Sequence, residues 1–238
     1  MPYLFFRELF QTFLGDYLKI VEPDTAVHLL PEQARFPAVD MSDWTDEERN
    51  EIGAVAEIPT RDGGSLTLLI QFEPELRGPA ETARRFGRWF LALETRMVQP
   101  VLLSVLYLRG GRPGPNLESA AVSTVYDMEV VRIFYTAFGL SEAHGDYYLE
   151  RPEPLAWALA ALMKPVRRSR AEHRLACLRR IADSNTVLSD RERSLLTTCV
   201  EQETEPGGPF CVDALRREWT SAPSGGRKGF VKGGHSTC

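Results

Sequence analysis

The sequence predicts an α/β protein in which a central sheet is covered by helices, followed by a helical C-terminal part. Three observations lead there. Val101 to Leu108 is a continuous apolar run of the kind found in strands buried on both faces. Ahead of it, two strand-like stretches, Glu51 to Ile58 and Leu66 to Phe72, are separated by the turn residues Arg61-Asp62-Gly63-Gly64. Apolar residues at helical spacing precede both the strand pair and the longer apolar run.

In chain order, Phe6, Leu9, Phe10, Phe13 and Tyr17 make one apolar helix face, with Arg7, Glu8, Gln11 and Lys19 mostly elsewhere, so this helix is expected to pack on the sheet. In the first strand Ile52, Ala54 and Ala56 alternate with Gly53, Val55 and Glu57. The second strand is nearly unbroken apolar sequence that ends at Glu73. Pro79 is placed to begin the next helix, with Phe86, Phe90, Leu93 and Met97 as its buried stripe, and Pro100 stops it. Arg109-Gly-Gly-Arg-Pro-Gly-Pro is a loop by composition. It lacks the Lys-Ser/Thr of a phosphate-binding loop, which leaves Arg109 and Arg112 as minor candidate phosphate contacts. Val130 to Tyr135 reads as a further strand. Pro152 to Met163, Arg170 to Ala182 and Ser189 to Glu201 read as helices, the last capped near Ser189 or Asp190. The expected organisation is a core over residues 1–140, a helical extension over 141–203, and a disordered tail over 204–238 rich in Gly, Pro and Ser.

At 238 residues, 43% of them hydrophobic, the chain can bury one substantial core. Its net charge of -5 gives no overall attraction to nucleic acid, so any DNA contact must come from a local basic face. Arg7 and Glu8 interrupt the apolar N-terminus before an export signal develops, and a cytoplasmic location is expected. Cys177, Cys199, Cys211 and Cys238 form no Cys-x-x-Cys pair and are expected as free thiols. Zinc binding by Cys199, Cys211, His235 and Cys238 would need irregular spacing in a Gly-rich tail. His28, His144 and His173 make no recognisable triad with a Ser or Cys.

A buried strand that delivers a carboxylate at its end is a common way to hold a divalent cation, which directs attention to Glu73. Two basic sets bear on DNA. Arg84, Arg85 and Arg88 are expected on the exposed side of the helix after Glu73. Between Lys164 and Arg180, the residues Arg167, Arg168, Arg170, Arg174 and Arg179 add to the two ends against one acid, Glu172, and would hold backbone phosphates without reading sequence. A solvated helix face has the same composition.

The strand pair, with Phe6 to Leu18, Ala83 to Trp89, Pro100 to Gly114, Leu155 to Met163 and Leu178 to Ala182, resembles the PD-(D/E)XK nuclease superfamily, specifically the bacterial recombination-promoting nuclease and transposase family. The resemblance fades after about Glu203. It implies a restriction-endonuclease-like mixed sheet and a Mg²⁺-dependent DNA endonuclease. In that family an Asp on the first strand and Glu-x-Gln or Glu-x-Lys on the second make the metal site. Glu73 matches the Glu, Gly53 stands where the Asp is expected, and Glu75 replaces the Gln or Lys. Glycine supplies neither ligand nor charge, and Glu75 sets a second negative charge near Glu73. Simple strand alternation puts Glu51 and Glu57 on the face of Gly53 as substitute ligands, Glu51 nearer, with Asp40 a further candidate; otherwise all three are solvated charges. The resemblance therefore implies a nuclease-like protein with lost or weakened endonuclease activity. The alternative is an active enzyme using Glu73 with Glu51 or Glu75.

Overall fold

A computed structural model describes residues 2–37, 52–76, 79–94, 99–125, 128–184 and 187–201. Met1–Thr204 forms one compact unit. Helices α1 (Pro2–Thr12), α2 (Leu14–Val21) and α3 (Pro23–Ala26) are followed by strands β1 (Ile52–Pro59) and β2 (Ser65–Glu75). Helix α4 (Pro79–Glu94), strands β3 (Val101–Arg109), β4 (Gly114–Val125) and β5 (Met128–Gly139) complete the sheet and its second helical layer. Then come α5 (Gly145–Leu149), α6 (Pro154–Ala160), α7 (Arg170–Ala182) and α8 (Asp190–Glu201). The α/β class and the helical C-terminal part are as expected. No helix among the described residues is long and apolar enough to cross a membrane.

The five strands form one mixed sheet in the order β1-β2-β3-β5-β4. β1 and β2 are antiparallel, as a short turn between adjacent strands requires, while β3 lies parallel to β2 because α4 carries the chain back across the sheet. β3 is parallel to β5, and β4 pairs antiparallel with β5 at the edge.

Alternation along these strands creates two buried faces. Val55, Leu69, Leu103, Val105, Ile133 and Ala137 meet Phe86, Trp89 and Leu93 of α4. On the opposite face Phe72 stacks on Phe6 of α1 at 4.2 Å between ring centroids, and the Tyr17 hydroxyl of α2 lies 2.6 Å from Ser104 Oγ on β3. The single first helix expected from sequence is interrupted at Phe13, which adopts φ -112° and ψ 36° ahead of α2. The apolar face nevertheless stays intact, with Leu9, Phe10, Phe13 and Tyr17 all buried.

β4 was not foreseen, and β5 is longer than Val130 to Tyr135. The two pair along most of their length, from Gly114 beside Gly139 to Val125 beside Met128. The loop before β4 is a turn as expected. Gly110 and Gly111 take φ of +74° and +82°, a left-handed conformation that residues with side chains rarely adopt.

The C-terminal helices are joined to the sheet layer through α2. Asp16 Oδ2 on α2 accepts from the Leu155 amide at 3.1 Å, near the N-terminus of α6, satisfying a donor that the helix cannot pair internally. α6 is shorter than the expected Pro152 to Met163, but Leu155 to Met163 is buried throughout. α7 begins at a capping box in which Glu172 N donates to Ser169 Oγ and Ser169 N donates to Glu172 Oε2. Ser189 and Glu192 make the same arrangement at α8, so Ser189 is the cap.

Candidate functional site

The site begins with Glu73. Its strand is hydrogen-bonded on both sides and covered on both faces, so its carboxylate is carried into the interior and the residue is only 1% exposed. Parallel register sets it beside Tyr107 on β3. Gln71, two residues earlier and so on the same face, donates from Nε2 to Glu73 Oε1 at 3.4 Å. The Gln71 side-chain oxygen is buried without a hydrogen-bond partner among the described residues.

Helix α4 lies over this face and supplies a cation. Arg85 Nη2 lies 3.6 Å from Glu73 Oε1, and the guanidinium sits 5.1 Å from the Trp89 ring centroid. Arg85 is therefore not on the exposed side of the helix, as the sequence reading expected, but 9% exposed and turned to the sheet. The helical period explains the correction. Thr82, Phe86, Trp89 and Leu93 are buried at spacings of three or four, and Arg85 falls within their arc. Phe90, expected in the stripe, is only partly buried, and Met97 lies outside the described residues.

Further along the face, the Tyr135 hydroxyl on β5 donates to Glu118 Oε2 on β4 at 3.3 Å. Burial, followed by the charge of Glu118, pushes the Tyr135 phenol up to about 12. Burial also raises Tyr107, with Tyr135, Glu118 and Glu73 adding to it. Both phenols are protonated at neutral pH.

Gly53 sits at a β-bulge, where the pairing shifts between Ile52 opposite Gln71 and Ala54 opposite Ile70. Simple alternation is therefore interrupted at this position, and the face assignment that linked Glu57 to Gly53 does not hold through it. Glu57 stands opposite Thr67, six residues before Glu73. At about 3.3 Å per residue that is roughly 20 Å along the strand, too far to share an ion. Glu51 and Asp40 lie outside the described residues, as do the side chains of Glu75 and Arg84. Arg88 is exposed on α4.

Comparison with protein-family models, with curated proteins and with solved structures finds no match.

No group of three or more His, Cys, Asp or Glu suited to a metal ion occurs among the described residues. Beside Glu73 are neutral oxygens from Gln71 and Tyr107, the Glu118 carboxylate acts on the same Tyr107, and the charge of Glu73 is already opposed by Arg85. Mg²⁺ favours carboxylate oxygens in near-octahedral geometry and would be repelled by that guanidinium. The described donor set does not fit it.

The second basic set is also engaged within the fold. Arg168 Nε lies 3.3 Å from Asp146 Oδ1, Arg167 Nη1 lies 3.7 Å from Glu150 Oε1, and Arg180 is stacked 4.8 Å from the Trp157 ring centroid. Arg174 is 4% exposed, a buried helix position rather than part of a basic surface. Lys164, Arg167, Arg168 and Arg179 remain exposed.

Sequence reasoning missed the grouping of Asp146, His173 and Cys177, because Asp146 is remote in sequence. His173 Nδ1 lies 4.0 Å from Asp146 Oδ1, and Cys177 follows one helical turn later. The group is not a nucleophilic triad: His173 Nε2 is bound to the Ala160 carbonyl at 3.0 Å, and burial pushes the Cys177 thiol up to about 12. Cys177 and Cys199 are free thiols, while Cys211, His235 and Cys238 lie outside the described residues.

Proposed function

We propose that this chain is a PD-(D/E)XK nuclease-like protein of the recombination-promoting type, with its Mg²⁺-dependent DNA endonuclease activity lost or weakened. The observation that carries the reading is the Arg85–Glu73 ion pair, 3.6 Å across and largely buried. In a metal-dependent nuclease the carboxylate at this strand position anchors a cation that activates water and offsets phosphate charge. Here an internal guanidinium sits against that carboxylate. It can offset charge but cannot lower the pKa of a bound water.

The path of the chain supports the scaffold: a helix, an antiparallel strand pair, and a helix returning to a parallel strand. Gly53 at the bulge provides no carboxylate where the resemblance expects one. DNA binding without cleavage would rest on Arg88 and the exposed residues Arg167 and Arg168.

Plasmid nicking with Mg²⁺ or Mn²⁺ tests the reading. Wild type is expected to leave supercoiled plasmid intact, at the level of Glu73→Ala. Efficient nicking by wild type that Glu73→Ala abolishes would overturn it in favour of an active endonuclease with Glu51 or Glu75 as substitute ligand. Retention of DNA at low salt, weakened by Arg88→Ala or by Arg167→Ala with Arg168→Ala, would support a binding role.

A further inference from the structure

The segment from Lys164 to Ser169, between α6 and α7, is tied down mainly by one buried residue. Asp146 Oδ2 accepts from the amides of Val166 at 2.8 Å and Arg167 at 3.3 Å, while Asp146 Oδ1 faces Arg168 Nε at 3.3 Å. The start of the segment is pinned by Lys164 N to Ala143 O and Gly145 N to Lys164 O, at 2.9 and 3.0 Å. Behind Asp146 stands His173, fully buried on α7.

The tautomer of His173 follows from its partner. A carbonyl oxygen only accepts, so the Nε2 bound to Ala160 O carries the proton and a neutral ring presents a bare lone pair at Nδ1. That atom faces Asp146 Oδ1 across 4.0 Å, and neither makes a hydrogen bond. Two acceptors thus confront each other in the interior. The gap is too long for a hydrogen bond. The ring cannot readily turn away, because a single Cβ added at Gly145 would already lie 2.4 Å from His173 Nε2.

We propose that Asp146 and His173 form a proton-operated latch, in which a proton taken from solvent at Nδ1 creates an N–H···O⁻ bond to Asp146 Oδ1 and releases Arg168. The new imidazolium and Arg168 are like charges competing for one oxygen, and Arg168 has solvent to move into, its side chain being 36% exposed. The amides of Val166 and Arg167 stay on Oδ2, so the backbone of the segment is kept and one arginine is freed.

The groups acting on the ring are consistent with a switch in mildly acidic conditions. Burial is the largest influence and holds His173 below the ordinary imidazole range. The Ala160 carbonyl from α6 and Asp146 from α5 oppose it, while Arg168 and Arg170 reinforce it. Burial also works against ionisation of Asp146, but the two amides, His173 and Arg168 together hold that carboxyl below its usual value, so it remains charged when the ring titrates. With the folded pKa of His173 depressed, its contribution to stability is present above about pH 6.5 and falls as acid is added, since the unfolded chain takes up the proton first.

Nitrogen NMR of the ¹⁵N-labelled chain between pH 7.5 and 5 tests the latch. Wild type is expected to show His173 as the Nε2–H tautomer at pH 7.5. In acid it should gain an Nδ1 proton while the Arg168 Nε resonance shifts as its ion pair with Asp146 opens, with the amides of Val166 and Arg167 unchanged. Arg168→Gln, a partly exposed change that spares the core, should raise the proton affinity of His173 about three- to tenfold by removing the competing cation. A His173 that stays neutral until global unfolding in both proteins, or that titrates identically in both, would overturn the proposal. So would an Arg168 Nε resonance that is indifferent to the titration.

Discussion

Replacing Arg85 by alanine is expected to destabilise the protein by about 3–5 kcal/mol, the cost of taking the cation away from a buried carboxylate. The magnitude follows from burial on both sides of the pair: the side chains of Arg85 and Glu73 are 11% and 2% exposed. An exposed pair would be worth about 1 kcal/mol or less. Urea unfolding of Arg85→Ala measures it, and Arg85→Ala combined with Glu73→Gln separates lost attraction from lost packing. If the ion pair dominates, the neutral Glu73→Gln background restores a large share of the stability. A loss below about 1 kcal/mol for the single variant would mean that Glu73 is neutralised in some other way.

Trp89→Ala is expected to cost about 3–5 kcal/mol as well, through a different mechanism. The indole is fully buried between α4 and the sheet, in the cluster that contains Leu69, Val105 and Ile133. Its removal leaves a large void in an interior with little capacity to collapse, and also strips the surface against which Arg85 is held. Urea unfolding should therefore show the two losses combining non-additively in Arg85→Ala with Trp89→Ala, because the residues are in contact. Simple additivity would indicate that the guanidinium is positioned without the ring.

These two residues also show where the sequence was legible. The alternation from Ile52, the apolar run into Glu73 and the continuous run from Val101 specified three strands, because burial on one or both faces imposes a period that can be read directly. Helix α4 was legible as an element, with Phe86 and Leu93 of its buried arc, but the rest of that arc was not. Trp89 and Arg85 lie within it, and an arginine between apolar neighbours reads as exposed until a buried carboxylate is known to face it. β4 escaped notice because Gly114 to Val125 is dominated by small and polar residues and lies at the sheet edge, where half of the strand need not be apolar. The bulge at Gly53 was equally hidden, since a register shift is a property of two strands and alternation is a property of one. Asp146 and His173 are brought together by packing between α5 and α7, which no local pattern encodes.

On the function proposed above, Arg85 rather than a divalent cation meets the charge of Glu73. Calorimetric titration of Mn²⁺ into wild type and Glu73→Gln tests it most directly. The two proteins are expected to give the same heats, because Glu73 is already paired. A stoichiometric binding event in wild type that disappears in Glu73→Gln would contradict the claim and restore the carboxylate to the role of metal ligand.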